Sequence, residues 1–274
     1  MQHCLLPERK LVTVSGPDAE TLLHNVMTCD IHKIADDVRQ PGALLSPQGK
    51  VLFQFLVGKD SDGEFQIDIP EADADAFLKR MTMYRLRSKV DFSPIDQASV
   101  SVVWETDSAP AEAFKRDIRF PETMPVFRGP PIAQASKDEA YSALRIEFGV
   151  PEPGIDYELG DAFAHDISFD QNGGVDFKKG CYVGQEIVSR MQHRGTARRR
   201  LVTVTGSGLV TGENVIANGK PVGSIGTVVD DRALAIVRLD RIQTAKEADE
   251  PIQVGDALVT VELPKNVSYT WPET

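Results

Sequence analysis

The sequence predicts an α+β body followed by a small all-β terminal domain, and three patterns lead to that reading. Strand, strand, helix, strand, strand succeed one another in a compact block from about Lys10 to Trp104, as in an antiparallel sheet with helices packed on one face. Beyond Arg200 short apolar runs alternate with turn signals, as in a small barrel or sandwich. Between the two, Lys178 to Arg200 crowds together a thiol, lysines, arginines, an amide and a carboxylate. No core segment or linker needs such a mixture.

Composition sets the frame. At 274 residues and 41% hydrophobic, the chain suits two or three domains with a sizeable core. The formal net charge of −11, from 30 basic and 41 acidic residues, argues against a protein that coats nucleic acid. No apolar run reaches the roughly 18 residues of a membrane helix, and Met1 to Lys10 does not read as a secretory signal. Cys4, Cys29 and Cys181 are odd in number and far apart, which is neither a disulfide framework nor a zinc motif. A reducing, cytoplasmic setting is the expectation.

Taken in order, Lys10 to Val14 alternates as a strand. Ser15-Gly16-Pro17-Asp18-Ala19 then reads as a helix start, with Ser15 or Gly16 as cap, Pro17 in the first turn, and Leu22, Leu23, Val26 and Met27 facing a core. Cys29 is expected to pack. Ala43 to Gly58 reads as strand, turn and strand around Ser46-Pro47-Gln48-Gly49. Glu64 to Ile69 is a further strand, and Glu71 to Tyr84 a helix burying Phe77, Leu78, Met81 and Tyr84. Val90 to Phe92 and Ser99 to Trp104 are strand-like again. Five prolines between Thr106 and Ala135 predict connecting structure and edge strands. Lys137 to Phe148 is a helix ended by Gly149, and Asn172-Gly173-Gly174 is a tight turn delivering the chain toward Cys181. Strands follow at Leu201 to Thr205, Asn214 to Ile216, Pro221 to Val229, Ala233 to Leu239 and Leu258 to Leu263, with a turn at Asn218-Gly219.

The central stretch carries seven Lys or Arg against one acid, Glu186, so a local anion site is expected unless the run is a solvated basic face. A helix starting after Gly184 would place Cys181 just before its N-terminus, beside Lys178 and Lys179, and both effects favour a thiolate. The alternative is a small buried thiol beside Tyr182. None of His3, His24, His32, His165 and His193 sits in a motif that marks a base for Cys181, and Cys181 with His193 alone would leave a metal site incomplete, so no residue is assigned to a metal. Arg190, Arg194 and Arg198 fall four apart and suit carboxylate or phosphate groups.

Lys179-Gly180-Cys181-Tyr182-Val183-Gly184-Gln185-Glu186, followed by Arg190 and Arg194-Gly195, resembles the signature of the YgfZ family of folate-binding proteins, whose mitochondrial relatives serve late iron–sulfur protein maturation. The likeness extends to Ser15 to Ala19 with Leu22-Leu23, to Leu45 to Leu52, to Tyr84 to Val90 and to Gly219 to Gly223. It implies the three-domain fold of the aminomethyltransferase (T-protein) of glycine cleavage: ferredoxin-like α+β domains and a C-terminal β-barrel around a tetrahydrofolate funnel. The implied division is residues 1–45 with 137–198 as the folate-binding domain carrying the cysteine loop, 46–136 as an α+β middle domain and 199–274 as the barrel.

Arg145-Ile146-Glu147-Phe148-Gly149 with Pro151, Gly154 and Asp156 resembles the segment whose glutamate holds the pterin, and Glu147 is the matching position. Where T-proteins carry their catalytic aspartate, this chain has Gly49-Lys50-Val51-Leu52-Phe53-Gln54, with no carboxylate. The resemblance therefore implies a tetrahydrofolate-binding accessory protein in assembly or repair of iron–sulfur clusters, including those of tRNA-modifying radical enzymes. Its clients would be iron–sulfur enzymes. Cys181 would be the essential thiol and Lys179 would tune it. Glu147, Tyr182, Gln185, Glu186, Arg190 and Arg194 would serve the non-covalently bound folate and its loop. The alternative is a folate-dependent one-carbon transferase, against which Phe53 speaks; an RNA-binding module has the least support.

Overall fold

The structure is a computed structural model describing residues 1–95, 99–132, 138–195 and 197–272. The chain divides into two compact units, Met1–Asp138 with Asn172–Gln185 and Glu139–Gln171 with Glu186–Thr274.

In the first unit the elements are β1 (Gln2–Leu6), β2 (Arg9–Ser15), α1 (Ala19–Val26), a 3₁₀ turn (Ile31–Lys33), β3 (Val38–Leu45), β4 (Val51–Lys59), β5 (Phe65–Pro70), α2 (Glu71–Arg85), β6 (Asp91–Pro94), β7 (Val100–Trp104), β8 (Lys115–Asp117) and β9 (Phe127–Gly129). They form a nine-stranded sheet in the order β1-β7-β9-β8-β3-β4-β5-β2-β6. Every pairing is antiparallel except β3 with β8. One face of β2, β4 and β5 offers Val12, Val14, Phe53, Phe55, Val57, Ile67 and Ile69 to Leu22, Leu23 and Val26 of α1 and Phe77 and Met81 of α2. This apolar layer is the core that alternation in β4 and helical spacing in α1 and α2 predict.

Two local expectations change. Asp18, not Ser15 or Gly16, occupies the N-cap position of α1 and makes no side-chain cap. Its carboxylate instead accepts the Lys89 amide at 2.7 Å, and Gly16, at φ +106°, passes too close to the Lys89 carbonyl to admit a Cβ. Tertiary pairing with the end of α2's following loop outcompetes local capping here. The proline-rich stretch holds strands, but β8 and β9 lie inside the sheet, not at its edge. Charge explains how: Arg128, on β9, is 1% exposed and donates its Nε–H to Asp68 Oδ2 at 2.9 Å, while Arg9 donates to Asp68 Oδ1 at 2.6 Å. Arg119 forks onto Asp117 at the end of β8. Buried charges of this kind persist only when paired and hydrogen-bonded. Burial alone would raise the Asp68 carboxyl, but the guanidinium groups of Arg128 and Arg9 outweigh it and hold the acid well below the usual carboxylate range.

The second unit begins at Glu139, within α3 (Asp138–Phe148); Lys137, the expected first residue of this helix, lies outside the described residues. Gly149 ends α3 at φ +66°, and the Val150 amide reaches back to the Arg145 carbonyl at 2.9 Å, a Schellman closure. Then come α4 (Gln185–Arg194), β10 (Arg199–Thr205), β11 (Asn214–Ala217), β12 (Lys220–Val229), β13 (Arg232–Arg238), α5 (Leu239–Glu247), β14 (Ile252–Val254), β15 (Ala257–Leu258) and β16 (Thr260–Glu262). The sheet order is β15-β14-β11-β12-β13-β10-β16. Its two edge strands, β15 and β16, are separated in sequence by Val259 alone. The sheet must therefore curl until its edges meet, which makes it a nearly closed barrel. Asn218 and Gly219 both take positive φ in the β11–β12 turn, as a two-residue hairpin of primed type requires. The α3 end is tied to this barrel through Asp156, which accepts Arg145 Nη1 at 3.0 Å and the Thr227 amide at 2.6 Å.

Candidate functional site

The cysteine loop, Asn172 to Gly184, belongs to the first unit, and its inner half is held from below by polar groups. Asn172 Oδ1 accepts the Gly174 amide at 3.2 Å, and Gly173 takes φ +79°, so the expected tight turn is present. Thr28, fully buried after α1, donates its hydroxyl to the Gly174 carbonyl at 2.6 Å and accepts the Ala43 amide at 2.9 Å. Its own carbonyl accepts the Asp176 amide. Asp176 then turns the chain again: Oδ1 accepts the amides of Lys178 and Lys179 at 2.7 and 3.0 Å, and Oδ2 faces Lys33 Nζ at 2.6 Å. Burial opposes ionisation of Asp176, but these hydrogen bonds outweigh it and keep the carboxyl below its ordinary range.

Lys179 is the central anchor. It is 7% exposed, and its ammonium donates to the carbonyls of His24, Met27 and Cys29 at 2.5, 2.5 and 2.9 Å. Those carbonyls belong to the last turn of α1 and the residues just beyond it, where a helix leaves its acceptors unpaired and a cation is favoured. Burial lowers the pKa of this ammonium, against the pull of Cys29, Asp30 and Asp176. All three of its donors are spent on backbone, so Lys179 holds the loop in place.

Past the anchor the loop turns outward. Cys181 is exposed, whereas Cys4 and Cys29 are buried. Burial pushes the Cys29 thiol up to about 12, the inert behaviour of a packed cysteine. Tyr182 is 8% exposed with its ring 5.2 Å from Lys179 Nζ, and burial raises its hydroxyl above the ordinary phenol range. Of the two readings of Cys181, the buried small thiol is not what the loop presents; the tyrosine beside it is the buried partner. Gly184 closes the loop at φ +84°, where a Cβ would stand 2.6 Å from the Ser46 carbonyl and 3.0 Å from Leu45 Cβ. Two segments singled out separately in the sequence, Leu45 to Leu52 and Lys179 to Glu186, thus pack against each other.

The first unit brings together Lys179, Cys181, Tyr182 and Gln185; Glu147, Glu186, Arg190 and Arg194 belong to the second. Gln185 opens α4, and Glu186 forms an i,i+4 ion pair with Arg190 on its exposed side. Arg194 is exposed in the last turn of α4. Glu147, on α3, has its Oε1 2.5 Å from Lys265 Nζ. A carboxylate has about four lone-pair sites, so this contact leaves acceptor capacity for a bidentate partner. Phe53 is a core residue meeting Phe77 edge-on at 5.7 Å. The first unit also encloses a cavity of about 510 Å³ lined by Arg39, Gln66, Asp68 and Arg128 among others. None of these was marked by sequence, because their meeting depends on strands β3, β5 and β9, distant in sequence, joining one sheet.

Comparison with known proteins adds to this geometry. The structure matches the glycine cleavage system aminomethyltransferase T from Bartonella henselae with a TM-score of 0.71, over 97% of this chain and 86% of that one, at 13% identity. The chain has the aminomethyltransferase fold. Residues 198–269 match the family model of the C-terminal β-barrel domain of CAF17. In sequence the chain is similar to mitochondrial proteins named iron–sulfur cluster assembly factor IBA57 or its homologue. The Pyricularia oryzae protein is 31% identical over 216 residues, covering 72% of this chain and 55% of that protein. The Chaetomium globosum protein is 27% identical over 238 residues, covering 72% and 54%. The Mus musculus protein is 26% identical over 278 residues, covering 87% and 78%. The chain spans about half the length of the fungal relatives it matches.

These relatives overturn one expectation. A cytoplasmic setting is the expectation from three cysteines too few, too far apart and odd in number for a disulfide framework, whereas the relatives are named as mitochondrial. Unpaired thiols report a reducing environment, and that criterion does not distinguish a cytoplasm from an organelle interior.

Proposed function

We propose that this protein is an accessory factor in the assembly or repair of iron–sulfur clusters, that it acts through the Cys181 thiol, and that it binds tetrahydrofolate. The observation that carries the reading is the cysteine loop: an exposed thiol on a backbone fixed by a buried lysine. A thiolate is a soft ligand suited to iron in a cluster, and a cluster or its iron is the cargo here. The names of the sequence relatives support the same direction. The core position of Phe53 leaves no carboxylate for aminomethyl transfer by the T-protein route.

In this reading Lys179 positions the loop, Gln185 and Glu186 continue it into α4, and Glu147 accepts hydrogen bonds from the pterin amino group and ring N–H. Tyr182 lines the base of the loop, and Arg190 and Arg194 receive the anionic glutamate tail. The clients are iron–sulfur enzymes, including radical enzymes that modify tRNA. Folate, when bound, supplies a pterin and a charged tail for recognition; no step of cluster handling is routed through it.

The test is a Cys181→Ala variant expressed in a strain lacking the protein. Activity of iron–sulfur enzymes is expected to stay at the deletion level, and full restoration would remove the thiol from the function. Calorimetric titration with reduced tetrahydrofolate checks the ligand separately: binding by wild type and loss in Glu147→Ala is expected, and equal binding by both would displace Glu147 from the site.

A further inference from the structure

His24, Asp30 and His32 each offer one ligand atom, and these three atoms lie within 4.8 Å of one another. All come from one short segment. His24 sits in the last turn of α1, while Asp30 caps the 3₁₀ turn and accepts the His32 amide at 3.1 Å. The two imidazoles face each other with ring centroids 4.2 Å apart.

The polar bookkeeping around the rings is incomplete without a further group. Among the described residues the buried His24 Nδ1 has no hydrogen-bond partner, and Asp30 Oδ1 lies 3.3 Å from it. A buried ring nitrogen left in this state calls for an explanation, and an unplaced ion is one of the recognised ones. His32 Nδ1 lies 2.8 Å from Glu20 Oε1. A carboxylate behind an imidazole fixes tautomer and ring orientation and leaves the other nitrogen as electron-pair donor, the usual outer partner of a ligating histidine. Lys33 has its Nζ 3.0 Å from Asp30 Oδ2 and also pairs with Asp176. That contact leaves Oδ1 facing the histidines.

We infer that His24, Asp30 and His32 form a binding site for one divalent first-row transition-metal ion, with Glu20 as its outer carboxylate. Two imidazoles and one carboxylate suit iron(II), zinc or cobalt; magnesium and calcium prefer all-oxygen sites. Three protein ligands leave coordination positions open. The site also approaches the residue that precedes the exposed thiol, since a Cβ at Gly180 would stand 3.8 Å from His24 Nε2. Lys179 bonds to the carbonyls of His24 and Cys29, so the metal segment and the cysteine loop share one anchor. The inference does not depend on the iron–sulfur reading.

The experiment is anaerobic titration of the full chain with cobalt(II), following visible d–d absorption, with zinc as competitor. One equivalent is expected to bind and to raise the melting temperature. His32→Ala, at a half-exposed position, and Asp30→Asn are each expected to weaken binding at least about tenfold, and Glu20→Gln by about 10- to 100-fold. His193→Ala, on the exposed side of α4, should titrate as wild type. Circular dichroism of the metal-free variants checks that they fold, and His32→Gln serves if the alanine variant does not. Failure of wild type to bind cobalt stoichiometrically would overturn the site. So would wild-type affinity in folded His32 and Asp30 variants, or loss of binding in Cys181→Ala with retention in His32→Ala.

Discussion

Replacing Lys179 by methionine tests the claim that the cysteine loop is pinned by one buried ammonium. The side chain keeps its length and apolar stem but loses its three donors, so the carbonyls of His24, Met27 and Cys29 lose this partner in a buried setting. Hydrogen bonds from a charged group contribute about 1.5–3 kcal/mol each, so three would sum to roughly 4.5–9 kcal/mol before any opposing term. The opposing term is desolvation of the ammonium, whose direction is visible in the lowered pKa of Lys179. Removing one side of a buried charged arrangement typically costs about 3–5 kcal/mol, and that is the expected loss of loop stability. At about 1.4 kcal/mol per decade, loop opening should rise by roughly two to three and a half orders of magnitude. Native-state tryptic cleavage after Lys178, timed against cleavage elsewhere in the chain, reads that opening directly. Lys179→Arg should recover only part of the protection, because a planar guanidinium cannot converge on three carbonyls as a tetrahedral ammonium does. Cleavage at the wild-type rate in Lys179→Met would refute the anchoring role.

Other substitutions probe neighbouring links. Gly184→Ala places a Cβ against the Ser46 carbonyl at a positive φ, and left-handed backbone alone costs an L-residue about 1–2 kcal/mol. Protection of the Ser46–Lys50 turn against hydrogen exchange should fall in this variant, and unchanged exchange would show that the loop does not press on that turn. Asp68→Asn should destabilise the first unit by about 3–5 kcal/mol at pH 7, leaving Arg128 and Arg9 without their carboxylate. The folded pKa of Asp68 is lowered, so its contribution is complete above the unfolded value of about 4 and is lost as pH falls through the folded value. Urea unfolding of both forms should therefore show a gap that is constant from pH 7 to about 5 and narrows in stronger acid; a gap that widens in acid would mean the acid is not paired as described.

Local chemistry made much of this fold legible. Alternation along β4, helical spacing in α1 and α2, the Gly149 stop and the Asn218-Gly219 turn each act through a few neighbouring residues, and each stands where its pattern predicts. Features that depend on distant partners did not show. Strand β1 is defined by pairing with β7, from Gln2 opposite Trp104 to Leu6 opposite Val100, and its own residues carry no strand alternation strong enough to announce it. Helix α5 hides among polar residues and buries only Leu239, Ile242 and Ala245. β8 and β9 sit inside the sheet because Arg128 and Asp68 neutralise each other 60 residues apart, a pairing no local window contains. The candidate site divides in the same way. The exposed thiol, the tight turn before it and the helix after it were readable. The destination of the Lys179 ammonium was not, because its acceptors are backbone carbonyls that carry no side-chain signature.

That destination changes what the loop can be expected to do. A lysine placed to acidify a neighbouring thiol would keep its charge near the sulfur and at least one donor available to it. Here burial and three carbonyl acceptors commit the ammonium to the end of α1. Its effect on Cys181 is geometric: it fixes where the sulfur is presented. Nucleophilic catalysis on a small substrate gains from a closed, water-excluding pocket, which an exposed side chain does not have. Ligand exchange with a metal centre carried by another protein asks for the opposite, a soft donor that projects from the surface and loses little conformational freedom when it engages. A rigid backbone beneath an exposed thiol meets that demand, and the imidazole–carboxylate cluster beside the same anchor would let one scaffold hold a metal ion and present a sulfur donor.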